Sequence, residues 1–337
     1  MNDIKRRMEV RPLLIATLLF IVLFISPKIS APQGRPFGAN LITQHEKDQS
    51  PPITPQPIVT LPRLHEAAER NEEPMRRKEI PDITINAAAA LAITDRGATL
   101  FALNEETPLQ IASISKLMTA LVALDRLPLS APVVVTKEAI RTEGDSAGLI
   151  AGETLRLHDA LLALLVPSSN DAAVAIAEAA GGTASFIAAM NAKAAELGME
   201  HSHFTNPHGL TPQGNTASAR DVARLMGEVL RNPTIREMLR QRHSRIVSAE
   251  GFVHEFDTTN LLLDEVDGAI GGKTGFTTES QGTLVFAFSP RAAQEHREAR
   301  EDDPSVITVV LGSSDRFADT EALARWILAA YRWEFSS

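Results

Sequence analysis

A serine hydroxyl attacks a carbonyl only with a base within hydrogen-bonding reach. Ser113-Ile114-Ser115-Lys116 supplies such a pair. If a helix starts near Ser113, residues three apart share one face, and Ser113 Oγ can meet Lys116 Nζ. Lysine serves as a base only when its pKa falls from about 10.4 towards 7–8. Burial and a second nearby cation both push it down. The same helix start offers backbone N–H groups to an oxyanion. Alone, this tetrapeptide reads more simply as a serine N-cap beside a surface lysine. Ser168-Ser169-Asn170 lies between two apolar segments and, alone, is an ordinary turn. Lys273-Thr274-Gly275 follows Gly271-Gly272 and precedes a strand. A cation and a hydroxyl beside a glycine-opened strand edge make a carboxylate site, although a turn with a solvated lysine has the same composition.

The elements around these segments are legible from periodicity. Ile83 to Thr94 and Ala98 to Leu103 are apolar runs split by Asp95-Arg96-Gly97, which predicts a hairpin. Leu117, Met118, Leu121 and Leu124 form the stripe of a helix beginning near Ser113. Ala160–Val166 and Ala172–Ala180 predict buried helices on either side of Pro167-Ser168-Ser169-Asn170. Ala184–Leu197 predicts a helix stopped by Gly198, and Arg220–Leu230 another. Thr283–Phe288 and Val306–Leu311 read as strands joined by a solvated, charged loop from Arg291 to Pro304. Thr320–Trp333 reads as a closing helix. Strands, then helices, then strands predict an α+β fold, with a mainly helical region inserted between strands of one antiparallel sheet.

The chain has 337 residues, 44% hydrophobic and 22% charged, with a formal net charge of −9. Wholesale disorder is excluded by this balance, and a broad electrostatic grip on nucleic acid is disfavoured. There is no cysteine, which rules out disulfides, thiolate-bound zinc, iron–sulfur clusters, thiol catalysis and a lipid-modified cysteine. His201 and His203 are spaced His-x-His, but no acidic partner at metal spacing follows, so no metal is expected. Lys5, Arg6, Arg7 and Arg11 precede an apolar run from Leu13 to Ile25 bracketed by Pro12 and Pro27. This predicts that residues 1–30 are a signal peptide or an N-terminal membrane anchor. The run is shorter than the about 20 residues of a full span, yet Ile29-Ser30-Ala31 before Pro32 is a poor cleavage site, which favours an anchor at residues 12–27. By the positive-inside rule residues 1–11 are cytoplasmic and the remainder is extracytoplasmic. Residues 31–80 are rich in proline and charge and predict a flexible linker, so the folded domain is expected over 81–337.

Taken together, the three motifs are specific. The chain has eight lysines, and Lys116 alone has a serine three positions before it. Ser-x-x-Lys, Ser-x-Asn and Lys-Thr-Gly in this order are the motif set of active-site-serine penicillin-recognising enzymes. From residue 81 to about 335 the chain resembles the D-alanyl-D-alanine carboxypeptidases, the low-molecular-mass penicillin-binding proteins. The likeness also includes Gly152-Glu153, Asp171-Ala172-Ala173, Leu197-Gly198-Met199, Asn206-Pro207-His208-Gly209-Leu210 and Val309 to Gly312 with Arg316-Phe317.

The resemblance implies a β-lactamase/transpeptidase-like fold and no cofactor. It implies that Ser113 is the nucleophile, Lys116 its base, and Ser168 the hydroxyl that passes a proton to the leaving D-alanine. It places substrate contacts at Asn170, Lys273, Thr274, Gly275 and Phe276, with Ser113 and Phe276 N–H groups as the oxyanion hole. Arg316 is a further candidate for the substrate carboxylate. The substrates implied are peptidoglycan stem peptides ending in D-Ala-D-Ala, with β-lactams as inhibitors. Position 276 is Phe where several relatives have His or Tyr. The 206–210 segment is read as a turn using Pro207 and Gly209, rather than as a site for catalysis by His208. Too few residues follow Arg316 for the second β-rich domain and C-terminal anchor that many such enzymes carry, so attachment to a membrane is expected only through the N-terminal segment.

Three other functions share part of this pattern. A D,D-endopeptidase has the same motifs and differs in how it accepts the two sides of the scissile bond. A class A β-lactamase needs a glutamate after the second motif to activate water, and no acidic residue lies between Ser202 and Ser218. A non-catalytic cell-wall-binding protein would not need every motif residue.

Overall fold

The computed structural model describes residues 74–210 and 214–335. The expected signal or anchor and residues 31–73 of the expected linker lie outside the described residues.

A two-residue strand β1 (Met75–Arg76) comes first, then the expected hairpin of β2 (Ala89–Thr94) and β3 (Thr99–Leu103), then β4 (Leu109–Gln110). A 3-10 turn over Ala112–Ser115 runs into α1 (Lys116–Arg126). The short strands β5 (Pro132–Val134) and β6 (Thr154–Arg156) pair around the loop that precedes α2 (Leu157–Leu165). α3 (Asn170–Ala179) and α4 (Thr183–Glu196) follow, then β7 (Thr216–Ala217), α5 (Ala219–Arg231) and α6 (Pro233–Met238). The hairpin of β8 (His243–Val247) and β9 (Val253–Asp257) and the one-turn α7 (Leu262–Glu265) return the chain to the main sheet. That sheet receives β10 (Ala269–Thr277), β11 (Gln281–Phe288) and, after α8 (Pro290–Gln294), β12 (Val306–Ser313). The chain closes with α9 (Arg316–Ala330) and β13 (Tyr331–Arg332).

The main sheet is antiparallel in the order β10-β11-β12-β2-β3, so the first hairpin docks beside the last long strand, with the helical region inserted between. Antiparallel sheets commonly wet one face and alternate accordingly. These strands are continuous apolar runs because each face meets its own core. Ile307, Val309, Leu311, Val285 and Leu91 enter the core shared with the helices that include α1 and α5. Val306, Val310, Leu284, Phe286 and Ala90 enter a second core with Leu323, Ala324 and Ile327 of α9. Successive side chains point to opposite faces, which gives two cores from one run.

The structure departs most from the sequence reading in three segments. The fold begins before Pro81: Met75 and Arg76 pair with Arg332 and Tyr331. The Arg76 guanidinium lies 5.0 Å from the Trp326 ring and 5.7 Å from that of Tyr331. Charge density therefore misled, because a guanidinium stacks on aromatic faces. The stretch from Arg291 to Pro304 is organised as well as charged. Arg297 grips the buried Asp303 with two bonds of 2.6 and 2.7 Å. The last helix starts at Arg316, where Asp315 caps it by accepting the N–H of Ala318, and it stops before Tyr331.

Candidate active site

Three elements bring the motif residues together. Ser113 lies in the 3-10 turn and Lys116 opens α1. Lys116 Nζ and Ser113 Oγ are 2.8 Å apart. An ammonium donates across that contact, and a neutral amine accepts from the hydroxyl instead. Nζ also donates to the His208 carbonyl at 2.9 Å. Lys116 is fully buried. Burial pushes its pKa well below the usual lysine value, and the Lys273 cation pushes it further, with Asp145 and Asp171 opposing.

Ser168 and Asn170 sit where α2 gives way to α3. Ser169 caps α3 by accepting the Ala172 N–H at 3.1 Å, which leaves Ser168 and Asn170 for other contacts. Ser168 adopts φ of 68°, uncommon for a residue with a side chain and found mostly where the surroundings enforce it. Asn170 donates from Nδ2 to the Glu143 carbonyl at 2.7 Å. Its Oδ1 is buried without a partner. Buried polar atoms are nearly always paired, so this acceptor is suited to a ligand N–H.

Lys273, Thr274, Gly275 and Phe276 lie on β10, the edge strand of the main sheet. An edge strand presents unpaired N–H and C=O groups to an incoming peptide. Lys273 Nζ donates to Ser168 Oγ at 2.7 Å and to the Thr274 carbonyl at 3.0 Å. Burial lowers its pKa to about 7, with Asp145 opposing and Arg316 adding to the shift. The Thr274 hydroxyl is 2.6 Å from that of Thr259. Gly275 is required by proximity: a methyl group there would lie 2.9 Å from Ser113 N and 2.5 Å from Thr283 Oγ1. The missing side chain lets β10 reach the backbone of the nucleophile. Phe276 is 61% exposed at the lip of the site. Its ring is 5.9 Å from the Arg316 guanidinium, which also stacks on Phe317 at 4.6 Å.

All eight residues expected from the motifs thus share one site. The 206–210 segment contributes in a way its side chains do not announce. Asn206 Oδ1 accepts from the His208 and Gly209 N–H groups, and Thr119 Oγ1 donates to the Pro207 carbonyl at 2.6 Å. The turn so fixed holds the His208 carbonyl against Lys116. The His208 ring, pushed to about 4 by burial and the Lys116 cation, is neutral at pH 7, and its Nδ1 accepts the Leu210 N–H. Asp145 was also missed. It stands far from every motif in sequence, and only the folded chain puts its charge within reach of both lysines.

Known proteins resemble this chain. Residues 74–315 match the D-alanyl-D-alanine carboxypeptidase family. A D-alanyl-D-alanine carboxypeptidase of Streptomyces sp. strain K15 is 32% identical over 60% of this chain and 77% of its own length. A D-alanyl-D-alanine endopeptidase of Pseudomonas aeruginosa is 31% identical over 72% of this chain and 77% of its own. The solved D-alanyl-D-alanine carboxypeptidase of Mycobacterium tuberculosis superposes with a TM-score of 0.68 at 27% identity, covering 75% of this chain and 95% of that one. With the family match spanning most of the chain and the motif residues gathered at one sheet edge, this protein belongs to the D-alanyl-D-alanine carboxypeptidase family.

Proposed function

We propose that this chain is a serine D,D-carboxypeptidase that removes the terminal D-alanine from peptidoglycan stem pentapeptides. One observation carries the reading: two buried lysines each hold a different serine, at 2.8 Å (Lys116–Ser113) and 2.7 Å (Lys273–Ser168). A lysine ordinarily keeps its proton at neutral pH. Here burial and repulsion by Lys273 make the neutral form of Lys116 accessible, and that form is the base a serine needs.

The steps follow from this placement. Lys116 Nζ takes the Ser113 proton as Oγ attacks the carbonyl of the penultimate D-alanine. The carbonyl oxygen becomes an oxyanion held by the Ser113 and Phe276 N–H groups. Lys273, Thr274 and Arg316 hold the terminal carboxylate. Ser168 passes its proton to the leaving nitrogen and is refilled from Lys116, so that the C–N bond breaks and D-alanine departs. Lys116 then deprotonates a water that cleaves the ester and restores Ser113. A β-lactam enters the same way, and its opened ring stays on Ser113. The basic start and apolar run at residues 1–30 support an extracytoplasmic domain tethered through that segment.

The pH profile tests the division of labour. Second-order acylation by a penicillin is expected to rise with pH as Lys116 loses its proton. It is expected to fall again as Lys273, at about 7 in the free enzyme, loses the charge that holds the carboxylate. Lys273→Arg, charged throughout, should carry the alkaline limb upward. A limb that stays in place would remove Lys273 from this role.

A second reading is kept because the Pseudomonas aeruginosa relative is an endopeptidase. Defined muropeptides separate the two. Purified protein should release one alanine from monomeric pentapeptides, read by mass. Dimers split without that loss would make it an endopeptidase. Intact substrates alongside unlabelled protein in fluorescent penicillin would instead favour a cell-wall-binding protein.

A further inference from the structure

The backbone beside Asn170 belongs to a segment that carries two carboxylates. Asn170 N–H donates to the Asp145 carbonyl at 2.7 Å, and Asn170 Nδ2 donates to the Glu143 carbonyl at 2.7 Å. The segment Glu143-Gly144-Asp145 therefore lies directly against the residue read above as holding the acyl half of the substrate. Gly144 makes this approach possible. It has φ of 87°, and a methyl group there would meet Asn170 Nδ2 at 2.7 Å and Leu210 Cδ1 at 2.5 Å.

The segment is held in place from below. Asp171, at the start of α3, accepts from Ser146 Oγ at 2.6 Å and from the Ala147 and Leu149 N–H groups at 3.3 Å each. The side chains of Glu143 and Asp145 are exposed, and among the described residues no ion pair ties up either carboxylate. Asp145 raises the pKa of Lys116, of Lys273 and of Arg316, so its field reaches the interior of the site. A second, independent feature marks where a peptide passes. Asn170 is 1% exposed, and its buried Oδ1 accepts no hydrogen bond from the protein. A peptide N–H that satisfied it would run alongside Glu143 and Asp145. With the scissile carbonyl at Ser113, the residue preceding the penultimate D-alanine is the one brought to this segment, and its side chain is what the two carboxylates would meet.

Resting on the peptidase reading, we infer that Glu143 and Asp145 form a recognition wall for a primary amine on the third residue of the stem peptide. Two carboxylates near a partly desolvated ammonium favour it over a neutral amide. Exposure limits the effect to a few-fold per charge.

The test uses the full-length chain and two pentapeptides that differ only in acetylation of the third-residue amine. Wild type is expected to prefer the free amine by about fivefold to tenfold in kcat/KM at low salt. The ratio should shrink in roughly 0.5 M salt, where the Debye length is only about 4 Å. In the double variant Glu143→Gln, Asp145→Asn it should fall to about one. The readout is the ratio, so any change these substitutions make in the lysine pKa values cancels. A wild-type ratio of one, or a preference that survives in the double variant, overturns the inference while leaving the peptidase reading intact. Failure to cleave either peptide overturns both.

Discussion

Ser113→Ala is expected to abolish covalent labelling by a fluorescent penicillin and to slow release of D-alanine by about four to six orders of magnitude. The remaining groups still bind and polarise the carbonyl, but no atom is left to form the ester. Lys116→Arg should be nearly as inactive for a different reason. A guanidinium keeps the positive charge at the base position yet cannot accept a proton at any accessible pH. Charge is thereby separated from basicity. The double variant should be no slower than the slower single one, because nucleophile and base act as a unit. If Lys116→Arg labelled at the wild-type rate, the buried amine 2.8 Å from Ser113 would not be the base. Labelling that survived Ser113→Ala would place the nucleophile elsewhere.

The second large effect is expected at a residue that touches no substrate. Gly209 has φ of 96° and is packed under the 3-10 turn. A methyl group there would fall inside the van der Waals shell of the Ala112 carbonyl and lie 2.6 Å from Ser115 Oγ. Gly209→Ala is therefore expected to cost about 3–5 kcal/mol, combining the backbone strain with overpacking. That corresponds to a fall in Tm of roughly 10 °C for a domain of this size. Gly251 supplies the comparison. It has φ of 91° but nothing within 4 Å of the position a methyl would take. Gly251→Ala should cost only the backbone preference, about 1 kcal/mol. Melting curves decide the matter, and equal shifts for the two variants would refute the packing argument. The surviving folded fraction of Gly209→Ala should also acylate slowly, because Ala112, already at φ of 46°, carries the next residue's nucleophile.

This pair of predictions marks what could be read before folding. Ser113, Lys116, Ser168, Asn170 and Lys273 were legible because their chemistry is rare and ordered along the chain. Part of the sheet was legible from the apolar runs at Ile83–Thr94, Thr283–Phe288 and Val306–Leu311, which fall on β2, β11 and β12. The role of Gly209 was not, since a glycine after Asn-Pro-x suggests only a turn. Its demand for space comes from a carbonyl nearly a hundred positions away. The same holds for the His208 carbonyl: every residue has one, so no residue type signals it. Met75 and Arg76 were misassigned because their partners, Arg332 and Tyr331, stand at the other end of the chain. The Arg297–Asp303 fork shows the complementary error, in which charge was equated with solvation although a bidentate pair can fold a loop on itself.

The pairing of β12 with β2 also governs when activity can appear. These strands come from the two ends of the folded domain, and contacts so distant in sequence are slow to form. A chain emerging from its N-terminus exposes Ser113 and Lys116 long before Lys273 exists to repel the Lys116 proton or to hold Ser168. Until β10 closes on the 3-10 turn, the lysine stays hydrated and charged, and the serine is inert. Cleavage competence is thus tied to the sheet contacts that bring β10 onto the 3-10 turn, and a chain that lacks them is expected to be inactive.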